Sequence, residues 1–375
     1  MKNTLRRLLA LALAVVMVCC MIPALAEEEA LAIEDIRVEC YVSEFGRMIR
    51  RFKLTFAEGT VLPALDQSNI VIENNFTHPY IPDFSNGIER VVTHDNYMTI
   101  EVDPFLYNRG FIVSGVKNGE VLFSFDASAI TDIATEVADE FSLYKTDLLT
   151  YRLYVPEDAE GPLPVIIWFH GGGELGDDGV APLCDYRAAV CWAEPEYQAK
   201  HPCVVLVPQL PQGKNWYQED TRIDVRAEVD RLIAEGVVDA SRVYVVGFSY
   251  FQGALWFTTD NLDLVAACIH LLYWHAFDPD PATGDDWGGV GWKDIADAQL
   301  PLWTCGADGD PTGGTTEMLT YHIPYMVENN PNFHYSIWTT NEMYEYKLFG
   351  FMLHHGWIPA INNQEIIDWL FAQSK

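Results

Sequence analysis

The apolar run Val165-Ile166-Ile167-Trp168-Phe169 stops at His170-Gly171-Gly172-Gly173, and further along Val243-Tyr244-Val245-Val246 stops at Gly247-Phe248-Ser249. A short, unbroken apolar run closed by glycine reads as a strand buried on both faces, as in a parallel sheet covered by helices. The residues after each run add chemistry to that geometry. A glycine-rich turn aims backbone N–H groups at a developing oxyanion, and a sharp turn after a strand lifts a serine hydroxyl clear of the sheet. The pair commits the chain to an α/β architecture with reactive groups at the carboxyl edge of its strands.

The rest of the chain divides in style. Between residues 33 and 125 the apolar residues alternate, as in Ile36-Arg37-Val38-Glu39-Cys40-Tyr41-Val42 and Met98-Thr99-Ile100-Glu101-Val102, with turn signals at Asn86-Gly87 and Asn118-Gly119. That pattern predicts a small antiparallel β-sandwich over 27–135. From Ser142 onward buried runs alternate with helical ones, which predicts βαβ units over 142–375. Strands are expected at 149–155, 165–169, 204–207, 243–246, 266–272, 300–305 and 335–339, with helices over 223–234, stopped by Gly236, and 364–373. A chain of 375 residues also exceeds one comfortable core, so two domains are expected.

Lys2, Arg6 and Arg7 precede an apolar stretch from Leu8 to Met21 that closes on Ala24-Leu25-Ala26 and gives way to Glu27-Glu28-Glu29. This is the pattern of a signal peptide over 1–26, and it predicts secretion. The formal net charge is −31, and the leader contributes only basic residues, so the remainder is more acidic still. Such a surface repels nucleic acid and anionic membranes. No later segment is long and apolar enough to span a bilayer.

Cys40, Cys184, Cys191, Cys203, Cys268 and Cys305 show neither a CxxC pair nor a mixed Cys and His spacing, so no structural zinc is expected. Cys184 and Cys191 are spaced to bridge across a short loop in an oxidising compartment, whereas Cys268 and Cys305 sit in core-like runs, and no pairing follows. The acidic stretch from Asp278-Pro279-Asp280 to Asp285-Asp286 lacks a full calcium loop and reads as solvated. Trp216, Tyr217, Trp274, Trp287 and Trp292 fall in expected loops near the carboxyl edge and are candidates to line a cleft.

A serine hydroxyl is a poor nucleophile at neutral pH, so Ser249 needs a base to take its proton and a carboxylate to hold that base in one tautomer. In parallel-sheet hydrolases the order is Ser, then Asp or Glu, then His. The strand over 300–305 leads into Gly306-Ala307-Asp308-Gly309-Asp310-Pro311, offering Asp310 first and Asp308 close behind. After the last strand, Leu353-His354-His355-Gly356-Trp357 offers two candidate bases. His170, His201, His270, His275, His322 and His334 lack that position and read as structural or solvated.

From about Leu149 onward the sequence resembles the α/β-hydrolase fold, in particular secreted esterases of the polyhydroxybutyrate-depolymerase and feruloyl-esterase type. The resemblance rests on Tyr151-Arg152-Leu153-Tyr154-Val155-Pro156, His170-Gly171-Gly172-Gly173-Glu174, Asp239-Ala240-Ser241-Arg242-Val243, Gly247-Phe248-Ser249, and Trp357-Ile358-Pro359-Ala360 followed by Asp368-Trp369-Leu370. It implies Ser249 as nucleophile, Asp310 as orienting acid and His354 as base, three residues before Trp357 as in those relatives. It also implies an oxyanion hole from the Tyr250 amide with that of Gly171 or Gly172, an ester substrate that is a small molecule or linked to a polysaccharide, and no cofactor. The β-rich region before it resembles the immunoglobulin-like domain that some of these esterases carry.

The chain also departs from the pattern. The usual G-x-S-x-G reads Gly247-Phe248-Ser249-Tyr250-Phe251, with phenylalanine where glycine lets the helix approach the strand, and Leu353 stands where glycine often precedes the histidine. An extra residue in the acid loop leaves Asp308 beside Asp310. Two other readings stay open, a catalytically silent hydrolase-fold binding protein and a serine peptidase.

Overall fold

The computed structural model describes residues 30–74, 81, 84–107, 110–250, 253–273 and 291–375. The expected signal peptide, His275, Trp274, Trp287, the acidic stretch 278–286 and Phe251 lie outside the described residues. No described helix is long and apolar enough to cross a membrane.

Eight strands build the first part: β1 (Ile33–Ser43), β2 (Gly46–Phe56), β3 (Ile70–Asn74), β4 (Ile88–Thr93), β5 (Tyr97–Leu106), β6 (Phe111–Lys117), β7 (Glu120–Asp126) and β8 (Asp132–Thr135). They form one sheet in the order β4-β5-β2-β1-β8 and a second in the order β3-β6-β7. Along β1 the residues Ile36, Val38, Cys40 and Val42 are buried, as the period of two requires. Phe52, Phe105, Phe111, Phe123 and Phe125 come from both sheets into one core, with Phe52 and Phe125 edge to face at 5.6 Å. The expected antiparallel sandwich has one exception, because β8 pairs with β1 in parallel.

The second part is an eight-stranded sheet built from β9 (Ser142–Lys145), β10 (Thr150–Tyr154), β11 (Leu163–Phe169), β12 (Val204–Gln209), β13 (Val238–Ser249), β14 (Val265–Tyr273), β15 (Leu302–Ala307) and β16 (Phe333–Trp338). Their order is β16-β15-β14-β13-β11-β12-β10-β9. Only β10 runs antiparallel to its neighbours β9 and β12; the other pairs are parallel. Val165, Ile167 and Phe169 of β11 enter the core on one face and Ile166 and Trp168 that on the other, which is why this strand reads as a continuous apolar run.

All seven expected strands form. Sequence reading missed β9, whose Leu143 is exposed and whose edge position leaves little apolar signal. β15 starts at Leu302 rather than 300 because Pro301 has no N–H for a ladder. The helix expected over 223–234 is Glu219–Ala234, its first turn carrying Glu219 and Asp220 where the helix dipole favours acids.

The two parts meet at the segment after the glycine turn. Arg47 donates from Nη2 to Cys184 Sγ at 2.7 Å, and Arg187 pairs with Glu44 at 3.4 Å. The six cysteines named above are buried free thiols, Cys184 and Cys191 included.

Candidate active site

β11 and β13 lie side by side in parallel with Phe169 opposite Gly247, so the glycine turn and the serine turn leave the sheet at the same edge. Ser249, the last residue of β13, has φ +59°. A non-glycine residue in the left-handed region is strained, and such strain persists where the surrounding structure enforces it.

Two glycines supply that enforcement. A Cβ on Gly247 would meet Ala254 Cβ at 2.6 Å and Phe169 Cβ at 2.9 Å, and one on Gly253 would meet the Trp216 ring at 2.6 Å. The helix Gly253–Asp260 therefore sits directly on β13 at Gly247, and Gly253 packs against Trp216 and Phe169. A valine at 247 must displace backbone-anchored neighbours. We expect Gly247→Val to lower stability by about 3 kcal/mol, at the upper end for overpacking, read as a fall of several degrees in Tm against wild type.

His354 ends the short helix Gly350–His354, and its Nε2 stands 2.8 Å from Ser249 Oγ. Its Nδ1 is 3.1 Å from each carboxylate oxygen of Asp310. Asp310 is itself held in place, since its Oδ1 accepts from Thr312 N and Thr312 Oγ1, both at 2.9 Å. Ser249, His354 and Asp310 are all buried.

The competing candidates are placed elsewhere. Asp308 accepts a hydrogen bond from Thr340 Oγ1 at 2.6 Å on the surface. His355 also lines the cavity, but its Nδ1 accepts from Trp357 Nε1 at 3.2 Å and Tyr186 packs edge to face on it at 5.0 Å, with no hydrogen bond to Ser249. Burial pushes its imidazole down to about 3.

The glycine turn divides its amides. Gly171 N–H donates to Glu174 Oε2 at 2.7 Å, so this amide is spent inside the wall rather than aimed at Ser249. Gly172 packs on the ring of Tyr250, where a Cβ would approach Cδ2 to 2.8 Å. His170, at the head of the turn, is fully buried, contacts Gly171 O at 2.7 Å through Nδ1 and accepts from Leu210 N at 3.0 Å.

A cavity of about 460 Å³ opens over Ser249 and is walled by Tyr186, Phe248, Tyr250, Phe351, Glu174 and the glycine turn. Of the tryptophans expected to line it, the two among the described residues do not. Trp216 is buried, edge to face with Phe169 at 4.8 Å, and Trp292 is buried and stacked on His322 at 4.5 Å, because both fill the layer beneath the sheet edge. Tyr217 is exposed and outside the cavity wall. Sequence reasoning missed Tyr186 and Phe351, which no spacing marks, and it treated Glu174 only as the end of the glycine motif.

Four buried histidines are held neutral by desolvation: His170 and His322 near about 4, His270 and His355 near about 3. The unfolded chain protonates them near the ordinary value of about 6.5, where the folded chain does not. The stability they carry is therefore present above that value and lost as pH falls from there towards 3, by a few kcal/mol apiece. Urea midpoints should drop steeply across that window, and a midpoint flat down to pH 4 contradicts neutral burial.

Among the described residues no cluster of three or more His, Cys, Asp or Glu side chains is arranged to hold a metal ion.

No protein-family model matches the chain, and no curated protein does. Solved structures do. A thermostable esterase aligns with TM-score 0.69 at 22% identity, covering 92% of this chain and 100% of that one. A putative dienelactone hydrolase from Klebsiella pneumoniae subsp. pneumoniae aligns with TM-score 0.43 at 12% identity, covering 62% of this chain and 99% of that one. At such identities the likeness speaks for architecture alone. Together with the mostly parallel sheet, the likeness to the thermostable esterase shows that the chain carries an α/β-hydrolase fold preceded by small, largely antiparallel sheets.

Proposed function

We propose that the protein is a secreted serine hydrolase of carboxylic esters, with the signal peptide over 1–26, an immunoglobulin-like sandwich over 27–135 and the catalytic domain over 142–375. The observation that carries the reading is the unbroken hydrogen-bonded chain from Asp310 through His354 to a strained Ser249. In this reading His354 Nε2 takes the Ser249 proton as Oγ attacks the ester carbonyl. The amides of Gly172 and Tyr250 receive the oxyanion, each such donor contributing about 3 kcal/mol in the transition state. His354 then returns the proton to the leaving alcohol, and a water deprotonated by the same nitrogen releases the acid from Ser249. Asp310 keeps the proton on Nδ1 throughout.

The apolar aromatic wall, with no lysine or arginine among its described residues, supports an uncharged acyl group of modest size. The test is labelling of the purified protein with a fluorophosphonate, which reports an activated serine without knowledge of the natural ester. Labelling of wild type that is lost in Ser249→Ala is the expected result. A folded wild type that takes no label returns the silent binding protein to first place.

A further inference from the structure

Glu174 has the most unusual surroundings of any carboxyl group near the cavity. It is 1% exposed in the cavity wall, and its Oε2 accepts the Gly171 N–H at 2.7 Å. Its backbone is pinned as well, since Glu174 N donates to Gly171 O at 3.3 Å and Gln209 Nε2 donates to Glu174 O at 3.1 Å. The side chain thus closes a loop around Gly172 and Gly173. Gly171 sits between Glu174 and Phe248, where an added Cβ would clash with the Phe248 ring at 2.9 Å and crowd Glu174 Oε2 at 3.3 Å.

We propose that Glu174 is a positioning residue of the oxyanion turn, fixing the Gly171 peptide so that the next amide, that of Gly172, faces the carbonyl attacked by Ser249. The proposal rests on the serine-hydrolase reading given above. Its surroundings favour the neutral acid. Burial, with Asp185 adding to it, raises its carboxyl well above the ordinary range, while the Gly171 bond opposes them only in part. The groups that face it are Asp185, itself pushed up to about 6 by burial, Tyr186, whose phenol burial also raises, and His354 and His355 across the cavity. Arg47 bears on Asp185 from the N-terminal sheets. Loss of the Glu174 proton would set a fixed negative charge beside the forming oxyanion, in a site where charges are poorly screened. Because its carboxyl is raised above the ordinary range, the protonated form persists to higher pH than in an exposed glutamate, and its loss as pH rises further would give turnover an alkaline limb.

The experiment uses the full chain, wild type, Glu174→Gln and Glu174→Ala, with p-nitrophenyl acetate and kcat and KM followed from mildly acidic to alkaline pH. Glu174→Gln keeps an acceptor for Gly171 and has no proton to lose, so it should lower kcat less than alanine does and flatten the alkaline limb. Glu174→Ala should lower kcat by about 100-fold, the scale of one lost oxyanion donor, with KM little changed. A glutamine variant with the wild-type alkaline limb, or a folded alanine variant with wild-type kcat, overturns the proposal. If the alanine variant fails to fold by circular dichroism, the pH profile of the glutamine variant decides alone. Wild type that neither hydrolyses the ester nor takes a fluorophosphonate overturns the serine-hydrolase reading and this role with it. Active wild type with indifferent Glu174 variants overturns this role only.

Discussion

Ser249→Ala is expected to fold as wild type does and to lose ester hydrolysis by on the order of 10⁶-fold, the scale set by removing a nucleophile that acts as a unit with its base. The hydroxyl is the only group deleted, and it faces His354 Nε2 at 2.8 Å, so no packing partner is lost. Residual turnover should come only from a bound water and the oxyanion amides. Circular dichroism and Tm verify the fold, and p-nitrophenyl acetate hydrolysis reads the loss. A variant that turns over within tenfold of wild type removes Ser249 from the mechanism.

The second large effect separates two aspartates that stand two positions apart. Asp310 faces His354 Nδ1 with both oxygens at 3.1 Å, so Asp310→Asn presents an amide N–H that favours the wrong tautomer of the imidazole. A loss of about 10⁴-fold in kcat is expected. Asp308 holds only Thr340 at the surface, and Asp308→Asn should stay within about twofold of wild type, as surface changes generally do. Reversed results would show that the acid loop rearranges when substrate binds.

How far the sequence reached can be judged from these same loops. β11 and β13 were legible because burial on both faces leaves only apolar residues, and the glycines after them mark the turns. The candidates Ser249, Asp310 and His354 were found because each follows a later strand in the order that parallel-sheet hydrolases share. Asp310 and His354 were preferred, but sequence alone did not settle them against Asp308 and His355. A one-residue step along a turn changes which side chain faces inward, and that choice is made by Thr312 gripping Asp310 and by Trp357 gripping His355 Nδ1. The tryptophans misled for a related reason: Trp216 sits in a loop by sequence, yet its indole donates to His170 O at 3.3 Å beneath the glycine turn. Gly253 meets the neighbouring layer through Trp216, a contact that only the folded chain creates.

The left-handed backbone at Ser249 has a consequence for how this chain ages under mutation. Any residue with a Cβ at φ +59° carries a penalty of about 1–2 kcal/mol that glycine would not. A lineage freed from the need for the hydroxyl would thus gain stability from a single-step change of Ser249 to glycine. Serine at this position therefore carries a backbone cost that glycine would not.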